Sequence, residues 1–249
     1  MNIYNDETNL LFLNLYRQLE EIRENKGDVY SFYKNKYYEQ LNSYREIRNY
    51  LTHEQYKGTY PIAVSNKVCL DFESIINRMK ENVYSRCNKN IEFLSLNDSI
   101  ATAIASFINK GYTYLPLLDS KRRILGIISS RSLLKLTSID NLNKKEPLSN
   151  YLGFFSFEAD TKRFLFLSRS TPLSVAEKEF ASIKNKKRLG MIFINENGKE
   201  DESLLGILSI YDITSLNWFF ATNYLNNAFP SSESFLNCEG FIVMQPIVL

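Results

Sequence analysis

The chain has 249 residues and a mass of 29.1 kDa, enough for one large domain or a few small ones. Its 44% hydrophobic and 14% aromatic content, with only 9 Gly and 6 Pro, excludes a disordered, collagen-like or low-complexity chain. The net charge of +2 is unevenly spread: residues 1–85 carry 11 basic and 12 acidic residues, residues 86–200 carry 19 and 11, and the last 49 carry five acids and no Lys or Arg. An anion is therefore expected to bind the middle of the chain, and neither end resembles a nucleic-acid-binding arm.

The first 85 residues read as helices. Phe12, Leu15, Leu19 and Ile22 recur at steps of three and four, placing them on one face, with Gly27 and Asp28 as the stop. Tyr30, Tyr33, Tyr37, Leu41, Tyr44, Ile47 and Leu51 form the stripe of a second helix, from about Val29 to Gln55. Phe72, Ile76, Met79 and Val83 mark a third. The N-terminus lacks the basic start of a signal sequence, and the final FIVMQPIVL is too short to span a bilayer, so it reads as a strand or docked tail. Cys69, Cys87 and Cys238 form no CxxC, and with one histidine a metal site is not expected. Reduced thiols fit a cytoplasmic protein.

From Ile91 the periodicity changes. An extended stretch to Leu96 precedes a helix over Asp98–Asn109, which Gly111 ends. The apolar runs Tyr114–Leu118 and Ile124–Ser129 flank a polar turn, and a helix follows from Ser130 to about Thr137. That order returns. Phe164–Leu167 is apolar, and Thr171-Pro172 opens a helix to about Lys184. Leu189–Ile194 and Leu204–Ser209 are further runs around a polar turn, and a helix runs from Ile210 to about Asn217. Gly126-Ile127-Ile128-Ser129 and Gly206-Ile207-Leu208-Ser209 occupy equivalent points. The reading is an α+β chain with a helical module over 1–85, one β-α-β-β-α repeat over 86–137, a linker over 138–160, a second repeat over 161–220 and a tail over 221–249.

The repeat resembles a tandem pair of cystathionine-β-synthase-type (CBS) domains. The likeness rests on Tyr114-Leu115-Pro116-Leu117-Leu118-Asp119 with Gly126-Ile127-Ile128-Ser129, and on Gly206 through Asp212 in the second copy. It implies two clefts that take AMP, ADP, ATP, S-adenosylmethionine or a related dinucleotide, with no cofactor required. In the family pattern a Ser/Thr lies near phosphate at a helix start, and an Asp three residues on accepts from the ribose hydroxyls. Ser209 and Asp212 keep that pattern, whereas the first copy has Ser129 but Ser132 where the Asp would stand. The resemblance places Asn97, Thr102, Tyr112, Thr113 and Tyr114 on the other wall of the Asp212 cleft. It gives Thr171, Ala176, Arg188 and Gly190 to a weaker cleft with Ser129 and Ser132. Asp212 and Ser209 also read simply as caps of their own helix. The basic run Lys184, Lys186, Lys187 and Arg188 reads either as an anion contact or as a solvated helix end.

The lone histidine closes Arg48-Asn49-Tyr50-Leu51-Thr52-His53, which resembles the RNxxxH signature of HEPN-type helical domains. In the metal-independent ribonucleases of that family the His and Arg serve attack of a 2′-hydroxyl on phosphate. On one helix Asn49 and His53 share a face while Arg48 lies about 140° away, so a working site would need a second chain. The resemblance also fits a non-catalytic oligomerisation module, or a chance match. The expectation is a cytoplasmic, homodimeric regulatory protein that binds an adenosyl ligand and relays it to the helices. The alternatives are an RNA-cleaving enzyme built on Arg48, Asn49 and His53, and a pair with no ligand.

Overall fold

The computed structural model describes residues 4–53, 60 and 62–214. The expected end of the last helix and the tail over 221–249 lie outside the described residues. Helix α1 (Tyr4–Asn25) buries the anticipated stripe of Phe12, Leu15, Leu19 and Ile22. Only Lys26 separates it from α2 (Gly27–Lys36), so Gly27 opens the next helix rather than closing the first. The long second helix of the sequence reading is two: the backbone breaks at Tyr37 (φ −116°, ψ 36°), and α3 (Tyr38–His53) follows. The break lets Val29 and Tyr33 of α2 and Leu41, Tyr44 and Leu51 of α3 reach one core.

Helix α4 (Asn66–Lys80) starts where the Ser65 side chain accepts the Val68 N–H, and it buries Cys69, Phe72, Ile76 and Met79. Cys69 Sγ bonds the Thr8 carbonyl and Lys80 bonds Gln18, so α1 and α4 run side by side in the same direction. The rings of Phe12, Tyr44 and Phe72 close this core, with centroids 4.4 to 6.0 Å apart. Val83, anticipated on the third helix, instead opens the short α5 (Val83–Arg86), because Asn82 is extended and caps Ser85 N–H.

The first repeat holds β1 (Leu94–Ser95), α6 (Ile100–Lys110), β2 (Tyr114–Leu118), β3 (Ile124–Ser129) and α7 (Ser130–Thr137). Gly111 caps α6 in the left-handed region (φ 66°), as its sequence position implies. The second repeat holds β4 (Arg163–Ser168), α8 (Leu173–Ala181), β5 (Ile183–Lys184), β6 (Lys187–Asn195) and β7 (Gly206–Leu208), after which helical backbone begins at Ile210. In both sheets the first strand is parallel to the next long strand and the last is antiparallel to it. One expectation fails here. The helix over Thr171–Lys184 ends at Ala181, and Ile183–Lys184 returns on β6 across Asn185 and Lys186, both at positive φ (52° and 60°). The basic run is thus a tight hairpin, a turn whose two central residues need that backbone region, and not a helix end.

The repeats are interlaced. Asn82 bridges Pro172 at the start of α8, and Pro147 bridges Ser99 at the start of α6. Val83 N–H donates to the Thr171 carbonyl and Leu173 N–H to that of Glu81. In the other copy Leu148 N–H donates to the Asp98 carbonyl and Ile100 N–H to that of Glu146. Each repeat's last strand is edged the same way: Phe155 accepts from Ile127 N–H of β3, and Asn88 exchanges two backbone bonds with Ile207 of β7. Each strand admits its neighbour through a glycine, since a Cβ on Gly126 would collide with the Phe155 carbonyl and one on Gly206 with Cys87 Sγ. Between the sheets Ile91, Leu118, Ile124 and Ile127 meet Met191, Phe193 and Leu204, and Tyr114 sets its edge on Phe164 at 5.5 Å. Among the described residues no helix is long and apolar enough to cross a membrane.

Candidate functional site

Strand direction decides which of the anticipated residues can meet. Tyr114 pairs with Ser129 across β2 and β3, so Tyr112–Tyr114 and the Ser129–Ser132 turn share one end of the first sheet. Chain direction in β6 and β7 brings Arg188 and Gly190 to the matching end of the second sheet, where Ser209 and Asp212 follow β7. The Gly190 backbone lies under the Phe164 ring, which touches Tyr114, so the two ends face each other. Asn97, Thr102 and Thr171 lie at the opposite end, beyond the C-terminal ends of β1 and β4. Roughly 12 Å of helix separates Thr102 from the end of α6 beside Tyr112. Ala176 is fully buried within α8.

Both helix-start turns are closed by side chains, with different chemistry. In the first, Ser129 N–H donates to Ser132 Oγ (2.9 Å), Ser132 N–H donates to Ser129 Oγ (3.1 Å), and the Ser132 hydroxyl donates to the Ser129 carbonyl (2.9 Å). Both serines are buried, and the Ser132 hydroxyl is spent as donor and acceptor. In the second, Ser209 N–H and Oγ–H both donate to Asp212 Oδ2, at 2.7 and 2.6 Å. Among the described residues these bonds engage one carboxylate oxygen of the half-buried Asp212, and Oδ1 is left for another partner. Ser95 and Asp98 form the same arrangement after β1, at 2.7 and 3.0 Å, so this Asp cap is a local habit of Ser-x-x-Asp turns.

The other side chains complete the picture. Thr102 lies in the first turn of α6, where its N–H and hydroxyl meet Ser99 Oγ; Asn97 and Thr113 are exposed. Tyr112 is held by Glu92, whose carboxyl is kept below its usual range by Lys110 and then by Tyr112 itself. Burial, and then the nearby Asp160 carboxylate, push the Tyr114 phenol above its ordinary value. Asp160 is buried, with Oδ1 accepting Lys162 N–H. The sequence reading placed it in a linker with no role, because nothing in its local pattern shows the distant Tyr114. Cys87 was missed too: burial first, with a further contribution from Asp212, raises its thiol. Arg188 is exposed on the hairpin, whereas Lys184 bonds Glu179 and Lys187 bonds the Asp160 carbonyl. Among the described residues no cluster of His, Cys, Asp and Glu is arranged to hold a metal.

Arg48, Asn49 and His53 stand on the last two turns of α3. The Arg48 guanidinium lies over the Tyr16 ring (5.6 Å to its centroid) and donates to Asn49 Oδ1 at 3.4 Å. Asn49 and His53 are exposed. Within one chain Arg48 is therefore drawn toward α1.

Residues 80–138 match the family model of the CBS domain, beginning at the end of α4 and closing with α7. The second repeat has the same element order. The chain matches no curated protein. Among solved structures it is similar to a hemolysin-like protein containing a CBS domain of Oenococcus oeni PSU, at 13% identity over 57% of this chain and 94% of that one (TM-score 0.42). It is similar to CBSX2 in complex with AMP, at 17% identity over 56% and 98% of the two chains (TM-score 0.42). A third is CbpB in complex with c-di-AMP, at 9% identity over 66% and 99% (TM-score 0.45).

Proposed function

We propose that this chain, which carries a CBS domain at residues 80–138, is a regulatory protein that takes an adenine nucleotide or another adenosyl ligand at its Ser209–Asp212 turn. The observation that carries the reading is the difference between the two helix starts. Asp212 is half-buried and has an oxygen beyond its capping bonds, while Ser132 is buried and has its proton and one lone pair committed to Ser129. A carboxylate accepts both hydroxyls of a ribose diol; a buried neutral hydroxyl with one lone pair left does not. Tyr114 offers a ring at the facing end, and exposed Arg188 offers a cation to phosphate.

Calorimetry with AMP, ATP and S-adenosylmethionine tests this. Charge-assisted hydrogen bonds contribute about 1.5–3 kcal/mol against about 1 for neutral ones, so Asp212→Ala is expected to weaken the tightest ligand about tenfold or more. Ser132→Ala leaves it nearly unchanged. Normal binding by the Asp212 variant removes the assignment, and silence with every ligand reduces Asp212 to a cap. The same reading includes a homodimer, because Ile108 on α6 and Leu134 on α7 leave large apolar side chains 76% and 70% exposed. A monomer by light scattering at micromolar concentration counts against it.

A further inference from the structure

Counting from the bridged helix starts, Ala103 of α6 corresponds to Ala176 of α8, and both are fully buried. By the same count Ile104, packed into the first repeat's core, corresponds to Glu177. An acid in an apolar register needs a cause, and the cause is the helical module. Arg78 of α4 sends Nε and Nη2 to Glu177 Oε1, at 3.1 and 2.6 Å, and Lys36 of α2 reaches Oε2 at 3.2 Å. The side chains of Glu177 and Arg78 are only 6% and 10% exposed. Arg78 Nη1 also reaches Glu81, whose two oxygens take Nε and Nη2 of Arg86. Glu81 in turn accepts Leu173 N–H through its backbone. Tyr33 packs on the same junction: burial, and then Glu177, raise its phenol.

Helix α8 is thus gripped twice from the helical module's side, by main chain at its first turn and by a buried charge cluster one turn later. Among the described residues its counterpart α6 has no buried charge cluster: it takes the main-chain grip from Lys144 and Glu146 of the linker and an exposed Lys110–Glu92 pair at its far end. We propose that Glu177 is the positioning residue through which the second repeat and the helical module move together, so that a change on either side is felt on the other. Its relay arm rests on the nucleotide reading above; its mechanical arm does not. Buried ion pairs suit this role because breaking one strands charge away from water, which makes the docked arrangement close to all-or-none.

The test is hydrogen exchange on the full chain. Without ligand, Glu177→Gln keeps the side-chain volume and removes the charge, and it is expected to speed exchange about tenfold or more in both α8 and α4. β2 and β3 stay unchanged. Lys36→Met, made on the other side of the junction, is expected to speed exchange in α8. If either variant loosens only the element that carries it, the coupling is wrong. In the second arm, AMP is expected to slow exchange in α4 of the wild-type chain and not in Glu177→Gln, with calorimetry confirming that both bind. Equal protection of α4 in the two proteins overturns the proposal. If neither protein binds AMP, the nucleotide reading fails and the ligand-free arm alone decides the junction.

Discussion

The two repeats share an element order and a pattern of main-chain bridges, yet they differ wherever a carboxylate appears. The first repeat has Ser132 at its helix start and Ile104 and Ser106 along α6, where the second has Asp212, Glu177 and Glu179. Ser106 satisfies its hydroxyl locally, on the Thr102 carbonyl. Glu177 reaches Arg78 and Lys36, and Glu179 pairs with Arg163 and Lys184. Ser106 thus meets its polar need on its own helix, while α8 sends Glu177 to the helical module and Glu179 to β4 and the basic hairpin of its own repeat. Duplicated backbones leave such positions free to diverge, because the fold needs only the apolar face and the glycine contacts.

Making α8 resemble α6 tests that comparison most severely. Glu177→Ile leaves Arg78 and Lys36 without their shared partner, and a broken buried pair costs about 3–5 kcal/mol. Chemical denaturation is expected to show a loss of that order, whereas Ile104→Val in α6 costs about 1 kcal/mol.

The glycines rank next. Gly126→Ala presses a methyl against the Phe155 backbone, which cannot rotate away, while Gly206→Ala meets the Cys87 side chain. The first is expected to lose about 2–3 kcal/mol by overpacking and the second less. Adding Cys87→Ala is expected to restore most of the loss at Gly206, in a double-mutant cycle followed by thermal unfolding. Equal losses at the two glycines, or no rescue, would break the parallel.

A smaller effect concerns pH. Desolvation pushes the Glu179 carboxyl up, but bonds from Lys184 and Arg163 more than offset it and hold its pKa below the ordinary range. A depressed folded pKa adds stability that is present above the unfolded value, about 4.3 for Glu, and is lost as pH falls through the folded one. Between neutral pH and pH 3 the wild-type chain is expected to lose slightly more stability than Glu179→Gln; identical pH profiles would dismiss the ion pair.

Much of this fold was readable from local pattern. The limits of β2, β3 and α7, the Gly111 cap and the α1 stripe follow from periodicity and turn chemistry that neighbouring residues determine. The break at Tyr37 and the hairpin at Asn185 were not, because both serve contacts made elsewhere: a shared helical core and an extension of β6. In the candidate site, the Ser209–Asp212 pairing lay within one motif and could be anticipated. Asp160 and Cys87 owe their places to chain segments distant in sequence, and so does the Arg78–Glu177 junction, whose partners are 99 positions apart. Only a sequence that shows which loop crosses which strand could have revealed them.

The exchange of strand edges between the repeats also constrains the order of synthesis. When residue 138 leaves the ribosome, the stretch 80–138 is complete as sequence but not as structure: β3 still lacks the Phe155 carbonyl, and α6 lacks its bridge to Pro147. Val83 meanwhile waits for Thr171, and Asn88 for Ile207 of β7, more than a hundred residues away in the chain. The first repeat can close once the linker has emerged to Phe155, whereas Asn88 keeps an open edge until β7 follows, so protection arrives in two steps.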